Sequence, residues 1–277
     1  MSPDLIFLYE LALKMAMTAI VVVVTSVAVE RAGPFIGALI AALPTAAGAA
    51  YVILAIEHPP SFIAASAVGS VAVSAAVSLF CAVYIILAQR HGLLLSLGVS
   101  LAVWFAATAV FRLVDWTPFA ATLLNVVVFG VTIPLSWRYR EGGPPRTFLR
   151  TRYDIPVRAI AAAVVVAIVT TASHRIGSFA SGMFALFPII LCSSVVILHP
   201  RVGGKATASM LAHAQIAFVG LSLCFLAVHY TAEPLGSWWA FVVGLAICIA
   251  WSGMLMLARM GFFRRHRAKP ERSRSTG

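Results

Sequence analysis

The chain is expected to be an all-α integral membrane protein of about nine transmembrane helices in two inverted repeats, five helices followed by four. Three observations lead there. With 61% hydrophobic and only 10% charged residues among 277, its apolar runs are too many and too long for the core of a water-soluble domain of this size. Residues 9–44 recur at 153–188 with a constant offset of 144, and 10 of the 36 aligned positions are identical. The cations fall on alternate connections between the apolar runs, which is the pattern of an oriented multi-pass protein.

A helix crossing the ~30 Å hydrocarbon layer needs about 20 apolar residues. Nine stretches meet that length: 5–29, 32–56, 61–88, 93–114, 117–137, 155–173, 177–198, 206–230 and 236–258. Turn-forming residues separate them at Glu57-His58-Pro59-Pro60, Gln89-Arg90-His91-Gly92, Gly142-Gly143-Pro144-Pro145, Pro200 to Gly204 and Glu233-Pro234. Asp4 and Glu10 stand where a cleavable signal would carry basic residues, so the first stretch is expected to stay in place. Residues 1–137 form the first repeat with an extra fifth span, 138–154 a basic cytoplasmic linker, 155–258 the second repeat and 259–277 a basic disordered tail.

With the amino terminus outside and the carboxyl terminus in the cytoplasm, 17 of the 20 basic residues lie inside. Only Arg112 and Arg175 lie outside, and Lys14 falls within the first span. The net charge of +11 is therefore a topology signal and not a nucleic-acid-binding surface. The bilayer is the expected partner, with anionic headgroups against the tail around Arg264-Arg265-His266-Arg267. Because an odd number of spans separates the two copies, the first runs inward and the second outward. Such inverted repeats occur in many secondary carriers.

Each copy places a proline near the middle of its second span, Pro44 and Pro188. Lacking an amide hydrogen, each leaves a carbonyl four residues earlier without its helical partner, at Ile40 and Phe184. Two helices discontinuous at these prolines define the expected substrate pathway, with Thr45, Ser193 and Ser194 beside them. Thr18, Asn125, His213 and Gln215 complete it as the polar residues inside the spans. Small residues at every fourth position, Gly33-Gly37-Ala41, Gly177-Ser181-Ala185 and Ser66-Ser70-Ser74-Ser78, are expected to let helix backbones approach closely. Two mirror-image charge clusters, Glu10 and Lys14 with Arg175, and Asp154 and Arg158 with Arg31, are candidate gating ion pairs; the plainer reading anchors each helix to the headgroups.

Cys81, Cys192, Cys224 and Cys248 all lie inside spans without metal-ligand spacing, so neither a metal nor another cofactor is indicated. No His-Glu-x-x-His, Gly-x-Gly-Asp, clustered acidic motif or glycine-rich phosphate loop occurs, and the chain is not expected to be an enzyme. Ser181-Gly182 with His213 is a faint echo of an intramembrane serine hydrolase that the small-residue stripe explains better. The Arg-x-Gly opening to a proline-broken helix in both halves, with Glu-His-Pro after the first, resembles an uncharacterised group of bacterial inner-membrane proteins. That resemblance implies the bacterial cytoplasmic membrane and no particular activity. Drug/metabolite transporters built as five plus five share the inverted plan as an analogy of architecture. A secondary transporter or permease for a small solute is the leading expectation; an assembly factor or subunit of a membrane complex is the alternative.

Overall fold

The computed structural model describes residues 45–140 and 177–267 continuously, with isolated positions among 9–24 and 156–167. Among the described residues there are helices and turns and no strands. The helices are α1 (Thr45–Glu57), α2 (Pro60–Leu87), α3 (Leu93–Phe111), α4 (Pro118–Trp137), α5 (177–185), α6 (Ile189–Val202), α7 (Gly204–Leu235) and α8 (Ser237–Arg267). Five are long and apolar enough to cross a membrane: α2, α3, α4, α7 and the Ser237–Ala258 part of α8. The chain is a multi-pass, all-α membrane protein.

The 144-residue offset of the sequence recurrence returns in the helix boundaries. Thr45 and Ile189, Pro60 and Gly204, and Leu93 and Ser237 each open a helix, and each pair is separated by 144 residues. The seventh apolar stretch is two helices, α5 and α6, interrupted at Leu186-Phe187-Pro188. The turn expected over Pro200 to Gly204 narrows to Gly203 (φ +88°), with α6 continuing through Pro200, whereas α7 continues through Pro234 and the chain reverses at Gly236 (φ +81°), just past the expected Glu233-Pro234. A backbone in the left-handed region is strained for any residue with a Cβ, so these glycines make reversals too tight for the longer turns the prolines suggested.

α2 is the axis of the molecule. It packs on α3, α4, α7 and the broken pair, and its Ala, Ser and Gly side chains are buried around most of its circumference. Gly69 faces the carbonyl of Phe179 and Gly182 faces that of Ser66, each so closely that a Cβ would have no room. The backbones of α2 and α5 therefore cross at van der Waals contact, the service that small residues perform where lipid is as apolar as leucine. α3 and α4 each bury one narrow stripe, Ser96-Ser100-Trp104-Thr108-Phe111 and Ala121-Asn125-Phe129-Thr132-Ser136. Their other faces present Leu95, Phe105, Val126 and Val131 outward, as does α8 with Val242 and Ile249, a surface suited to lipid.

Cross-helix bonds give the directions. Gln215 Nε2 donates to the Ser78 carbonyl at 3.0 Å and His229 Nδ1 to that of Ala64 at 2.8 Å, so α2 and α7 run antiparallel. Asn125 reaches Val71 and Thr132 reaches Ser78, so α4 runs parallel to α2. The described charges divide accordingly. Glu57, Asp115 and Glu233 lie at the end where α2 begins, with Arg112, whereas Arg90, Arg138, Arg140, Arg201 and Lys205 lie at the other, towards which α8 carries Arg259, Arg264, Arg265 and Arg267.

Candidate functional site

Breaking a helix inside a membrane creates carbonyls that something must answer, because hydrocarbon cannot. At the α5–α6 break the answers are visible. Leu186 N–H donates three residues back to Met183 at 3.2 Å and Phe187 N–H to Phe184 at 3.0 Å, closing α5 with a tighter turn. The Phe184 carbonyl, orphaned by Pro188 in a continuous helix, thus has a local donor. The Gly182 carbonyl instead accepts from Ser70 Oγ at 2.7 Å, and Tyr51 OH in turn meets Ser70 Oγ at 2.6 Å. Since the Ser70 proton goes to Gly182, Tyr51 is the donor in that second bond. Three elements, α1, α2 and α5, are joined through one hydroxyl.

Tyr51 is itself held by aromatic contacts to Phe225 of α7 and Phe241 of α8, with centroids 5.0 and 6.1 Å away. On the far side of the break Trp104 of α3 meets Phe187 edge to face at 5.1 Å. Trp104 is fully buried, and its Nε1–H has no hydrogen-bond partner. Beyond the break α6 starts after Pro188 (φ −76°, ψ 47°) without a side-chain cap. Cys192 N–H returns to the Pro188 carbonyl at 2.9 Å, so the amides of the first turn ahead of it point out of the helix end.

The two half helices are opposed. α1 is antiparallel to α2 across the short His58-Pro59 turn, while α6 is parallel to it, its far end tied by Tyr84 OH to His199 Nδ1 at 2.5 Å. Ser70 and Tyr84 are about 21 Å apart along α2, and the starts of α1 and α6 lie about 9 Å before Tyr51 and about 15 Å before His199. Both amino-terminal ends therefore reach nearly the same level, that of Ser74 to Ala76 in the middle of α2.

A second polar seam lies between α2, α4 and α7. Asn125 Nδ2 donates to the carbonyls of Val71 at 2.6 Å and Ala121 at 2.9 Å, Ser78 meets Thr132 at 2.7 Å, and Gln215 reaches Ser78. The Asn125 and Gln215 carbonyl oxygens, and the hydroxyls of Ser66 and Ser136, are buried without partners. Among the described residues no three of His, Cys, Asp or Glu gather as a metal could use, and the four cysteines are unbridged.

Of the residues expected to form the pathway, Pro188 caps α6, Ser193 and Ser194 are buried within its first turns, and Asn125 and Gln215 are buried against α2. Thr45 opens α1. His213 does not join them; it is exposed, with Nδ1 on the Ser209 carbonyl at 2.8 Å, so its small-residue helix face is not wholly turned toward protein. Thr18, Pro44, Glu10, Lys14, Arg31, Asp154, Arg158 and Arg175 lie outside the described residues. Sequence reasoning missed Tyr51 and Trp104. Their only signal was a ring with a polar atom in the middle of an apolar stretch, where a partner or a ligand is required. Compared with protein-family models, with curated proteins and with solved structures, the chain matches none.

Proposed function

We propose that the chain is a secondary transporter or permease for a small solute. It would work in a bacterial cytoplasmic membrane with its amino terminus outside and its basic end in the cytoplasm. The observation that carries this reading is the helix interrupted at Leu186-Phe187-Pro188, paired with a second helix that opens 144 residues earlier, directly after Pro44. Interrupted helices in repeated halves are how carriers present backbone polar groups to a substrate. The antiparallel course of α2 and α7, helices in equivalent places in the two repeats, supports inversion about an axis in the membrane plane. The separation of acidic from basic ends supports the orientation. On this reading the nine-span plan places the gating clusters at opposite surfaces.

The alternative, an assembly factor or subunit without transport, has one observation in its favour. The Gly182 and Phe184 carbonyls at the break are satisfied by the protein's own donors, which a purely structural kink would also need.

Small-molecule pools compared between a deletion strain, its parent and strains restored with wild type or Pro188→Ala would decide. A transporter gives one solute class whose pool shifts on deletion, returns with wild type and does not return with Pro188→Ala at equal membrane abundance. No shift, or full rescue by Pro188→Ala, favours the structural reading. Tags after Pro60 and Pro234 should be reachable from outside, and tags after Gly142 and at Gly277 only from inside; one on the wrong side would undo the orientation.

A further inference from the structure

Two helix ends reach one level in the middle of the molecule, the α6 end beside a buried indole, and all three offer only hydrogen-bond donors. Every α-helix leaves its first amides without carbonyl partners and carries the positive end of its dipole there. At a surface, water answers them. α1 and α6 instead start halfway along α2, pointing in opposite directions, at the level of Ser74 to Ala76. α6 has no side-chain cap, and prolines precede both helices.

The independent observation is Trp104. It is fully buried, its indole touches Phe187 immediately before the α6 cap, and its N–H is unpartnered. Indole nitrogen is a donor and never an acceptor, so it cannot be satisfied by the amides around it. α3 packs on α2 and α6, so a fully buried side chain from α3 that touches Phe187 faces the break and not the lipid. A buried donor without an acceptor in a native structure calls for a ligand or an ordered water. Charge agrees with a negative ligand: Glu57, Asp115 and Glu233, the described acids, all stand at one end of the helices and leave the centre free of carboxylate among the described residues.

We propose that the starts of α1 and α6, together with Trp104 Nε1, bind the anionic group of a small solute at the centre of the protein. The inference rests on the transporter reading and adds the substrate class. The first-turn amides of α6 and the indole donate to the anion, and the two dipole ends, at one level and opposite in direction, share its charge. A neutral solute of the same shape gains the hydrogen bonds and loses the dipole contribution. A cation is repelled.

The full-length protein in detergent, titrated with sodium acetate, sodium chloride or the neutral isostere acetamide while its melting temperature is followed, tests this. Acetate or chloride should raise the melting temperature saturably, and acetamide should not. Acetate acting alone identifies an organic carboxylate, and chloride acting as well identifies a site for small anions generally. Trp104→Phe keeps the contact with Phe187 but removes the N–H, and should raise the half-saturating concentration about tenfold or more, as expected for a hydrogen bond to a charged group. Pro188→Ala lets the helix close through the break, consumes the α6 amides and should abolish the effect; it reads the same site if Trp104→Phe does not fold. Trp239→Phe, on the exposed face of α8, should behave as wild type. The inference is overturned if neither anion acts saturably, if acetamide acts equally, or if the folded variants all respond like wild type. If a Pro188-dependent solute pool proves neutral or cationic, the transporter reading stands and the anion site falls.

Discussion

α2 and the Ser237–Ala258 part of α8 are equally apolar, yet 78% of the spanning window in α2 is buried against 22% in α8. The difference lies in side-chain size. α2 is built mostly of Ala, Ser, Gly and Val with its rings, Phe62, Phe80 and Tyr84, kept towards its two ends, whereas α8 begins Ser237-Trp238-Trp239 and carries Phe, Leu and Ile throughout. In water the larger apolar residue goes inside because burial removes it from the solvent. In lipid that gain vanishes, and close approach of backbones decides which helix is central.

The strongest way to break the comparison is to put bulk where α2 admits none. Gly182→Val would force its Cβ into the Ser66 carbonyl and push α5 off α2, so we expect a loss of about 3 kcal/mol or more and a largely misfolded protein by size exclusion and thermal melting. Gly253→Ala in α8 meets nothing within 4 Å and should instead stabilise by about 0.5–1 kcal/mol through helix propensity. Equal effects at the two sites would remove the distinction between a packed axis and a lipid-facing helix.

Next in size is Ser70→Ala, which deprives the Gly182 carbonyl of its donor and the Tyr51 hydroxyl of its acceptor. Leaving buried polar groups unpaired costs about 1–3 kcal/mol, readable in the same melts. Tyr84→Phe removes the bond to His199 at a half-buried end where the imidazole can turn to water. A loss of about 1 kcal/mol is expected there. Ile249→Ala on the outer face of α8 should fall within about 0.5 kcal/mol of wild type, since lipid fills the space a methylene leaves.

Much of this plan was legible before any coordinates. The serine ladder at 66, 70, 74 and 78, one of three stripes expected to let backbones approach closely, lies on the helix that is central, and Pro188 marked the break, because both follow from backbone chemistry that acts locally. Asn125 and Gln215 stood out for the same reason: an amide nitrogen in an apolar stretch needs an acceptor from the protein, here carbonyls of α2, while their own carbonyl oxygens stay without a partner. His213 looked alike in one dimension and proved exposed, because periodicity gives a helix its faces without saying what covers each one. The turn at Gly203 falls within the stretch Pro200 to Gly204, whereas that at Gly236 lies past Glu233-Pro234, since proline is tolerated near a helix end more readily than turn statistics imply.

By itself, then, the sequence determined the apolar spans, the helical class, the recurrence at an offset of 144 and the helix that must be interrupted, all consequences of composition, spacing and the missing amide of proline. Only the tertiary structure decided that Ser70 answers Gly182, that Trp104 is left with an unmet donor, and that α1 and α6 begin at one level from opposite directions. Those facts depend on which backbones touch across more than a hundred residues of chain, and no local pattern carries the distance between them.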